Sequence, residues 1–331
     1  MTHVTGTCGR QRSDEADVYC MDMRMTGVVV LGASGMLGSM VVDVLADDRR
    51  MQVAGTVRTS SLGGACRARL PQVEWREYDV AGDARSLAAA LDGADWVINA
   101  IGLTKPYVHD NDPAQVERAI MVNAAFPFAL AKAADAIGAQ VVQIATDCVY
   151  SGSAGAYVES SAHDALDVYG KTKSLGEPAL PNMHLLRCSI IGPEPKSPTF
   201  LLEWLRRQPP GATVSGFVDH LWNGVTTHSF ARLCLALVSG GASAPRLQHV
   251  VPDGDVTKAD LLVMIAEAYG RDDITVVPEK APYPADRTLR TERAATNAML
   301  WAAAGYTAAP SVAEMVAETA KHTPRLSGLA P

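Results

Sequence analysis

The chain of 331 residues has 48% hydrophobic residues, 20% charged residues and a formal net charge of −7. These values are typical of a globular protein with one or two domains and a substantial core, and they argue against intrinsic disorder. The negative charge leaves no broad basic face, which argues against sequence-independent binding to nucleic acid. The longest apolar run, residues 28–46, is interrupted by glycines and Asp43, so it indicates a strand and a helix rather than a membrane span. We therefore expect neither a nucleic-acid partner nor a membrane partner.

The cysteines are scattered through the chain without the spacing of a metal site or a redox pair. They are Cys8, Cys20, Cys66, Cys148, Cys188 and Cys234. This pattern suits a reducing compartment, so we expect a cytoplasmic protein with no bound metal.

The first predicted strand, residues 27–31, is short, β-branched and apolar, as expected of a strand buried on both faces. It ends in the sequence GASGMLG at 32–38, and helical periodicity follows through Leu45. In a strand–turn–helix unit of this kind, backbone N–H groups can approach a pyrophosphate at the helix N-terminus. The residues expected to bind the dinucleotide here are Gly32, Ser34, Gly35, Met36, Leu37 and Gly38.

The second predicted strand, residues 52–57, ends at Arg58. A site that prefers NAD usually has a carboxylate at this point for the ribose hydroxyls, and this chain has none. Arg58 could instead grip a 2′-phosphate, although a solvated surface arginine is the alternative. We therefore expect NADP as the cofactor, with NAD as the second choice.

The third predicted strand, residues 73–78, ends where an adenine ring could bind, although Asp79 could instead cap the helix at 86–91. The fourth predicted strand, residues 95–101, ends in small residues that leave room for a ligand. The cofactor contacts expected at these two strand ends are Asp79, Val80, Asn99, Ala100 and Ile101.

Beyond the fourth strand, Lys105 is either a phosphate contact or a solvated loop lysine, and a long helix is predicted over residues 113–137. A fifth apolar strand then leads to Thr146. Tyr169 and Lys173 follow at a spacing of four, which places them on one face of a predicted helix over 168–180.

A hydroxyl, a phenol and an ammonium together can move a proton to or from a carbonyl oxygen. A free phenol titrates near ~10, and the Lys173 ammonium is expected to lower the pKa of Tyr169. Thr146 would hold the carbonyl oxygen beside a nicotinamide while Tyr169 gives the proton. A Y-x-x-x-K pattern also arises by chance in many helices, so its position after a glycine turn and a strand-end threonine matters.

The sixth predicted strand is residues 184–191, and strands alternate with helices up to this point. The pattern predicts an α/β protein with a Rossmann-type doubly wound parallel sheet, the NAD(P)-binding domain, over 26–192. Prolines then break the alternation, which predicts a smaller, irregular α/β substrate-binding lobe over 193–323 with helices at 229–237 and 258–269.

Polar tails are expected at both ends of the chain. Residues 1–25 are polar and patternless, which predicts disorder or an over-extended translation start at Met21, Met23 or Met25. A second short tail is predicted at 324–331.

Three motifs resemble the extended short-chain dehydrogenases/reductases, and within them the dTDP-4-dehydrorhamnose reductase branch of sugar-nucleotide reductases. They are GASGMLG at 32–38, ATDCVYSG at 145–152 and VYGKTKSLGE at 168–177. The resemblance implies that Thr146, Tyr169 and Lys173 are the catalytic triad and that Lys173 also holds the nicotinamide ribose. It further implies a reductase that serves surface polysaccharide or glycoside biosynthesis. The sequence leaves the oligomeric state open between a monomer and a homodimer, and the long helices at 113–137 and 168–180 resemble those that form dimer interfaces in the superfamily.

The resemblance also implies which residues of the site contact the substrate. Related 4,6-dehydratases have a glutamate where this chain has Cys148, so dehydration is not expected. Cys148 and the segment at 220–227 depart from the reductase pattern and lie on the side expected to bind a nucleotide sugar. The expected substrate contacts are Lys105, Asp147, Cys148, Trp222 and Asn223, with Thr226 as a further candidate.

Two alternatives to reduction remain open from the sequence. One is a nucleotide-sugar epimerase, which would convert its substrate without net turnover of cofactor. The other is a non-catalytic binding subunit, because one relative of the branch is the regulatory β-subunit of methionine adenosyltransferase. An intact triad argues against the second alternative.

Overall fold

The computed structural model describes residues 24–196, 199–240, 243 and 245–326. Most of the predicted N-terminal tail lies outside these residues, and Arg24 at its end pairs with Asp95. Within the described ranges, no helix is long and apolar enough to cross a membrane.

The strands, in chain order, are β1 (Thr26–Leu31), β2 (Met51–Val57), β3 (Glu74–Glu77), β4 (Trp96–Asn99), β5 (Gln140–Ala145), β6 (Met183–Arg187), β7 (Ile190–Ile191), β8 (Thr213–Phe217), β9 (His220–Trp222), β10 (Val225–Thr226), β11 (Leu247–His249), β12 (Val256–Thr257), β13 (Thr275–Glu279) and β14 (Ala285–Asp286). The α-helices are α1 (Met36–Ala46), α2 (Ser60–Arg69), α3 (Ala84–Ala90), α4 (Pro113–Ala119), α5 (Phe126–Asp135), α6 (Val168–Leu175), α7 (Leu201–Arg206), α8 (Thr227–Val238), α9 (Lys258–Ala268), α10 (Ala294–Ala303) and α11 (Val312–His322).

The central sheet has the order β11-β6-β5-β4-β1-β2-β3, and each neighbouring pair is parallel. This is the predicted doubly wound α/β sheet. The strand order reverses between β1 and β4, and ligands of such sheets bind in the crevice at that point, outside the carboxyl ends of the strands.

Strand β1 illustrates why the sheet is buried on both faces. Val28 and Val30 join the hydrophobic cluster that includes α1 and α8, whereas Val29 and Leu31 join the cluster of α3 and α5 on the other face. Alternate side chains of a strand point to opposite faces, so a continuous apolar run supplies both cores.

The predicted sixth strand is wrong in its second half. Strand β6 ends at Arg187, and β7 pairs with β10 in a separate small sheet. The chain turns away because Val225 donates its N–H to the Ser189 carbonyl oxygen at 2.9 Å. Gly224 permits this approach, since a Cβ there would lie 2.5 Å from that oxygen.

The chain beyond residue 192 contributes to the central sheet as well as to a lobe. Strand β11, which periodicity does not predict, extends the sheet beside β6, and α8 packs on α1. The remaining segments form small sheets, β12-β9-β14 and β13-β8. The lobe contacts the chain between β5 and α6, where Asp286 and Thr288 exchange backbone hydrogen bonds with Gly152 and Tyr157.

The predicted helix over 113–137 is present but irregular. Helices α4 and α5 are joined by a π-helical segment, Ile120–Ala125. Pro127 follows that segment and has no N–H to donate to the carbonyl of Asn123, so the regular ladder cannot continue there. Helices α8 and α9 match their predictions within two residues.

The prediction of a tail over residues 324–331 is wrong for its first three residues. Thr323–Leu326 form a 3₁₀ turn in which Leu326 is buried. Arg325 pairs with Asp47 at 2.5 Å and with the buried Asp43 at 3.3 Å. An apolar anchor and two ion pairs therefore hold this segment against α1.

Candidate active site

The glycine turn between β1 and α1 has the shape of a phosphate cradle. Gly32 has φ +75°, and its carbonyl lies so close to Gly38 that a Cβ on Gly38 would collide with it. Gly35 begins α1 without a side-chain cap, so the first N–H groups of the helix have no side-chain acceptor there. Backbone donors at an uncapped helix N-terminus suit the pyrophosphate of a dinucleotide.

A lysine reaches Ser34 of this turn, and Arg58 lies near that lysine. Lys196, in the loop after β7, donates a hydrogen bond from Nζ to Ser34 Oγ at 2.6 Å. Burial lowers the pKa of Lys196, and the nearby guanidinium of Arg58 lowers it further. Arg58 itself is exposed at the end of β2. The predicted cation at the ribose end of the site therefore has a neighbour that sequence reasoning missed.

The ends of β3 and β4 meet the same crevice. Ala100 and Ile101 lie against Gly32, 3.3 Å and 3.0 Å from the position of a Cβ there. Asn99 is buried and bonded to Gln143 and to the Ile101 N–H, so it fixes the conformation of the strand end.

Asp79, which follows β3, is exposed and accepts from Ala81 N–H. The alternative that Asp79 caps the next helix is wrong, because Asp83 caps α3. Val80 next to it is half-buried.

Strand β5 delivers Thr146 to the site, as predicted. Thr146 begins a short 3₁₀ turn, Asp147–Val149, and its Oγ1 accepts from the Cys148 N–H at 3.2 Å. The same hydroxyl donates to Asp147 Oδ1 at 3.2 Å. Thr146 and Asp147 are both buried, and Cys148 is half-buried beside them.

Helix α6 brings Tyr169 and Lys173 to this strand end. Lys173 is buried, and its Nζ donates to the Ile144 carbonyl of β5 at 3.2 Å. Tyr169 lies beside Thr146, whose side chain favours the charged form of the phenol. Between them, Gly170 packs so closely on the Cys148 carbonyl that a Cβ would collide with it. The three predicted catalytic side chains are therefore brought together.

Helix α6 is held at its N-terminus by Asp167. This carboxylate accepts from Gly170 N–H at 2.7 Å and forms an ion pair with Lys105 at 2.6 Å. Lys105 is therefore located at the edge of the site, with more than half of its side chain exposed.

Burial dominates the protonation states of the triad. Burial raises the pKa of Tyr169 well above its ordinary value, Cys148 raises it further, and the Thr146 hydrogen bond opposes both. Burial likewise lowers the pKa of Lys173, and the carboxylate of Glu177 partly offsets this by favouring the ammonium. This direction is opposite to the predicted lowering of the Tyr169 pKa, because desolvation of the phenolate is the largest cause acting on it.

A buried polar network lies behind α6. Arg187, which is 1% exposed, forms a two-pronged ion pair with Glu177 at 2.5 Å and 3.2 Å. It also bonds Tyr150 Oη at 2.7 Å, His249 Nε2 at 2.7 Å and His163 Nε2 at 2.9 Å. The network joins the catalytic helix to β6 and to β11.

Two further cations approach Asp147 from the lobe, and sequence reasoning missed both. Lys258, the first residue of α9, places Nζ 5.1 Å from the centre of the Trp222 ring. Arg287, which follows β14, donates to the carbonyls of Tyr150 and Ser151 at 2.9 Å and 2.8 Å. Both favour the charged form of Asp147, yet burial dominates and raises the pKa of this carboxyl.

The substrate contacts predicted in the lobe, Trp222, Asn223 and Thr226, lie in different surroundings. Trp222 is buried with its Nε1 bonded to Ser189, and its ring faces Lys258. Asn223 is bonded through both amide atoms to the backbone of Leu289, and Thr226 caps α8. Asn223 and Thr226 therefore hold the lobe together, and their predicted contact with substrate has no support in this geometry.

Comparison with known proteins decides the family. The family model described as the RmlD substrate binding domain matches residues 25–324. The chain belongs to this family.

Relatives of this RmlD-family chain include several dTDP-4-dehydrorhamnose reductases. That of Mycolicibacterium smegmatis is 26% identical over 280 residues, which cover 81% of this chain and 77% of the relative. That of Salmonella typhimurium is 30% identical over 223 residues, covering 61% and 73%. The crystal structure of the Bacillus anthracis enzyme in complex with NADP has a TM-score of 0.69 at 18% identity, covering 90% of this chain and 98% of that one.

Membership of the RmlD family confirms the predicted fold and the predicted branch of the short-chain dehydrogenases/reductases. The oxidoreductase class predicted for the chain is confirmed at the level of the family. Within the described residues, no group of side chains has the composition of a metal site.

Proposed function

We propose that this RmlD-family chain catalyses the NADPH-dependent reduction of the keto group of a nucleotide-activated 4-keto-6-deoxy sugar. The observation that carries the proposal is the convergence of Thr146, Tyr169 and Lys173 beside the crevice of the parallel sheet. The names of the relatives, all with substantial coverage, support the same reaction. The setting we propose is the cytoplasm, which agrees with four described cysteines that are all free.

The residues of the site fit a bound dinucleotide, with the glycine turn at its phosphates and Lys173 within reach of its nicotinamide ribose. When bound, NADPH supplies the hydride that adds to the carbonyl carbon. Tyr169 donates its hydroxyl proton to the carbonyl oxygen, which Thr146 also holds by a hydrogen bond. A raised pKa keeps Tyr169 protonated until that oxygen becomes strongly basic, and the Lys173 ammonium stabilises the phenolate that remains.

The reaction is tested by incubating the purified protein with NADPH and dTDP- or UDP-linked 4-keto-6-deoxyglucose, and the C5 epimer of each. We expect loss of nicotinamide absorbance and a 4-hydroxy product by NMR. Tyr169→Phe should abolish this loss, whereas Tyr283→Phe, a change at a tyrosine that is 86% exposed, should not. Equal rates in the wild type and Tyr169→Phe would refute the role of Tyr169. Conversion without consumption of NADPH would favour an epimerase instead.

The preference for NADPH rests on Ser34, Arg58 and Lys196. The ribose 2′-oxygen of a dinucleotide lies near the end of β2 in sheets of this type, and an arginine there accommodates a 2′-phosphate. Adenosine 2′,5′-bisphosphate should therefore bind more tightly than adenosine 5′-monophosphate in calorimetric titrations. Lys196→Met should reduce this preference by about tenfold, which corresponds to the loss of one charge-assisted hydrogen bond. Equal binding of the two nucleotides to the wild type would refute the assignment.

We also propose that the protein is a homodimer that pairs through α6 and the π-helical segment. These neighbouring elements expose Ile120 (46%), Met121 (53%) and Leu175 (64%), which is unusual for large apolar side chains. Light scattering should give twice the chain mass for the wild type. Leu175→Glu should give a monomer, whereas Met299→Glu on α10 should not. A monomeric wild type would refute the proposal.

A further inference from the structure

Lys258 is a cation without a conventional partner in the centre of the site. Among the described residues, none forms a hydrogen bond or an ion pair with its Nζ, which lies over the Trp222 ring. Its charge interacts with Asp147 and Cys148, the two residues that follow Thr146. The amine is therefore located beside the strand end that holds the reacting carbonyl.

The position of Lys258 is unfavourable for a charged amine. It is the first residue of α9, where the helix dipole presents its positive end. Burial lowers the pKa of Lys258 to about 8, although Asp147 and Cys148 both favour the ammonium. With this pKa about one tenth of the amine is uncharged at pH 7 and about half at pH 8, and a base whose pKa lies near the working pH is suited to proton transfer.

We propose that Lys258 is a general base that removes a proton from the carbon next to the keto group of the bound sugar. The inference rests on the proposed function, because it needs a keto sugar in the same site. It adds an activity that hydride transfer does not require, namely the exchange of that carbon-bound hydrogen with solvent.

The step balances within the residues of the site. The C–H electron pair becomes the C=C bond of an enolate, and the carbonyl π pair moves to the oxygen that Tyr169 and Thr146 hold. The proton forms a new N–H bond on Lys258. Return of a solvent-derived proton from Lys258 to carbon regenerates the ketone, so no oxidant or reductant takes part.

The other groups near Thr146 are protonated or already hydrogen-bonded. Burial raises the pKa of the Cys148 thiol to about 12, so it is protonated at neutral pH. Burial also raises the pKa of Asp147, which strengthens it as a base, but its Oδ1 already accepts a hydrogen bond from Thr146. Lys173 donates from Nζ to the Ile144 carbonyl. Lys258 is therefore the amine near Thr146 whose Nζ has no hydrogen-bond acceptor among the described residues.

The test is deuterium incorporation in heavy water without NADPH. The full-length protein is incubated with a 4-keto-6-deoxy sugar nucleotide, the ketone is trapped with borohydride, and the product is examined by mass spectrometry and NMR. We expect deuterium at a carbon adjacent to C4, at a rate well above the enzyme-free background and rising with pH as Lys258 loses its proton. The charges that act on this titration are those of Asp147 and Cys148 at the strand end. Asp260, the acidic residue in the first turn of α9, accepts from the Thr257 N–H.

Two variants separate a base from a cation that merely binds substrate. Lys258→Met removes the amine, and Lys258→Arg keeps a positive charge that cannot lose its proton. Both should lower the exchange rate by roughly 10²–10⁴-fold, the range typical of a general base. Lys321→Met, on the exposed side of α11, should exchange like the wild type.

Each outcome decides the question independently of the reductase assay. Exchange at the background rate in the wild type would refute the proposal even if NADPH is consumed normally. Exchange retained in Lys258→Arg would also refute it, because the base would then be another group. Exchange in the absence of any NADPH consumption would support the base and refute the reductase. Binding of adenosine 2′,5′-bisphosphate by each variant verifies that it is folded.

Discussion

Replacing Glu177 with glutamine should destabilise the fold by about 3 kcal/mol, the lower end of the range for breaking a buried ion pair. Arg187 is 1% exposed. Among its hydrogen-bond partners only Glu177 carries a negative charge, since the others are Tyr150, His163 and His249. The amide of glutamine can still accept one hydrogen bond, but it leaves the guanidinium buried without a counter-charge.

The magnitude follows from the two contacts that carry the pair. The Glu177 oxygens lie 2.5 Å and 3.2 Å from the guanidinium nitrogens, and each charge-assisted hydrogen bond contributes about 1.5–3 kcal/mol. Loss of one bond and of the charge on the other is therefore consistent with about 3 kcal/mol.

The matched control is Glu203→Gln. Glu203 is also buried, at 5% exposure, but its partner Arg206 is one-third exposed and Arg207 more than half exposed. Water can solvate these cations after the substitution, so we expect a loss of about 1 kcal/mol, as for pairs near the surface. Urea titrations of the wild type and both variants measure the difference.

Glu177 also favours the charged form of Lys173, so the same substitution has a catalytic consequence. Without this carboxylate the pKa of Lys173 falls further, and the decline of kcat/KM at alkaline pH should begin at a lower pH. Equal free energies of unfolding for Glu177→Gln and Glu203→Gln, with unchanged pH profiles, would refute the reasoning.

Three further predictions concern acid stability, the packing of α6 and the lobe. Burial lowers the pKa of His228 and His249 from 6.5 to about 4, so the unfolded chain binds more protons between these values. The free energy of unfolding should therefore fall as the pH falls through this window, by up to about 1.4 kcal/mol per pH unit for each histidine, and His249→Gln should show a shallower dependence in urea titrations. Gly170→Ala, whose Cβ would collide with the Cys148 carbonyl, should destabilise by about 1–3 kcal/mol and slow reduction by displacing Tyr169. Gly64→Ala, with open space in α2, should do neither. Asn223→Ala should lower the free energy of unfolding by about 2 kcal/mol because the Leu289 N–H loses its acceptor and the Leu289 carbonyl keeps only Arg290. An increase in KM without loss of stability would instead support the predicted substrate contact.

The parts of the fold that were predicted correctly depend on local patterns. Continuous apolar runs gave the strands that are buried on both faces, and the glycine turn located α1. Strand β11 carries no such signal, because two of its residues, Gln248 and His249, are polar. They are buried only because Glu159 and Thr291 supply hydrogen bonds from distant parts of the chain. Periodicity cannot anticipate partners that folding brings together.

The same limit explains which site residues were found. Thr146, Tyr169 and Lys173 lie within one short stretch, where spacing alone places them on a strand end and a helix face. Lys258 and Arg287 are more than a hundred residues away in sequence from Thr146 and have no motif of their own. The opposite direction of the Tyr169 pKa has the same origin, since spacing along a helix does not show how deeply a side chain is buried.

The division between predicted and unpredicted residues bears on specificity. The predicted triad lies at the end of β5 and on α6, in the part of the chain built around the central sheet. The groups that face it from the lobe, Lys258, Arg287 and Trp222, are held by α9, by the segment after β14 and by β9. Because β9 pairs with β14, and β12 leads directly into α9, these three elements form one unit. A substitution in this unit should change which sugar is accepted and whether the hydrogen next to its keto group exchanges, while hydride transfer continues. We therefore expect sequence differences in this unit to account for differences in substrate between this chain and its reductase relatives.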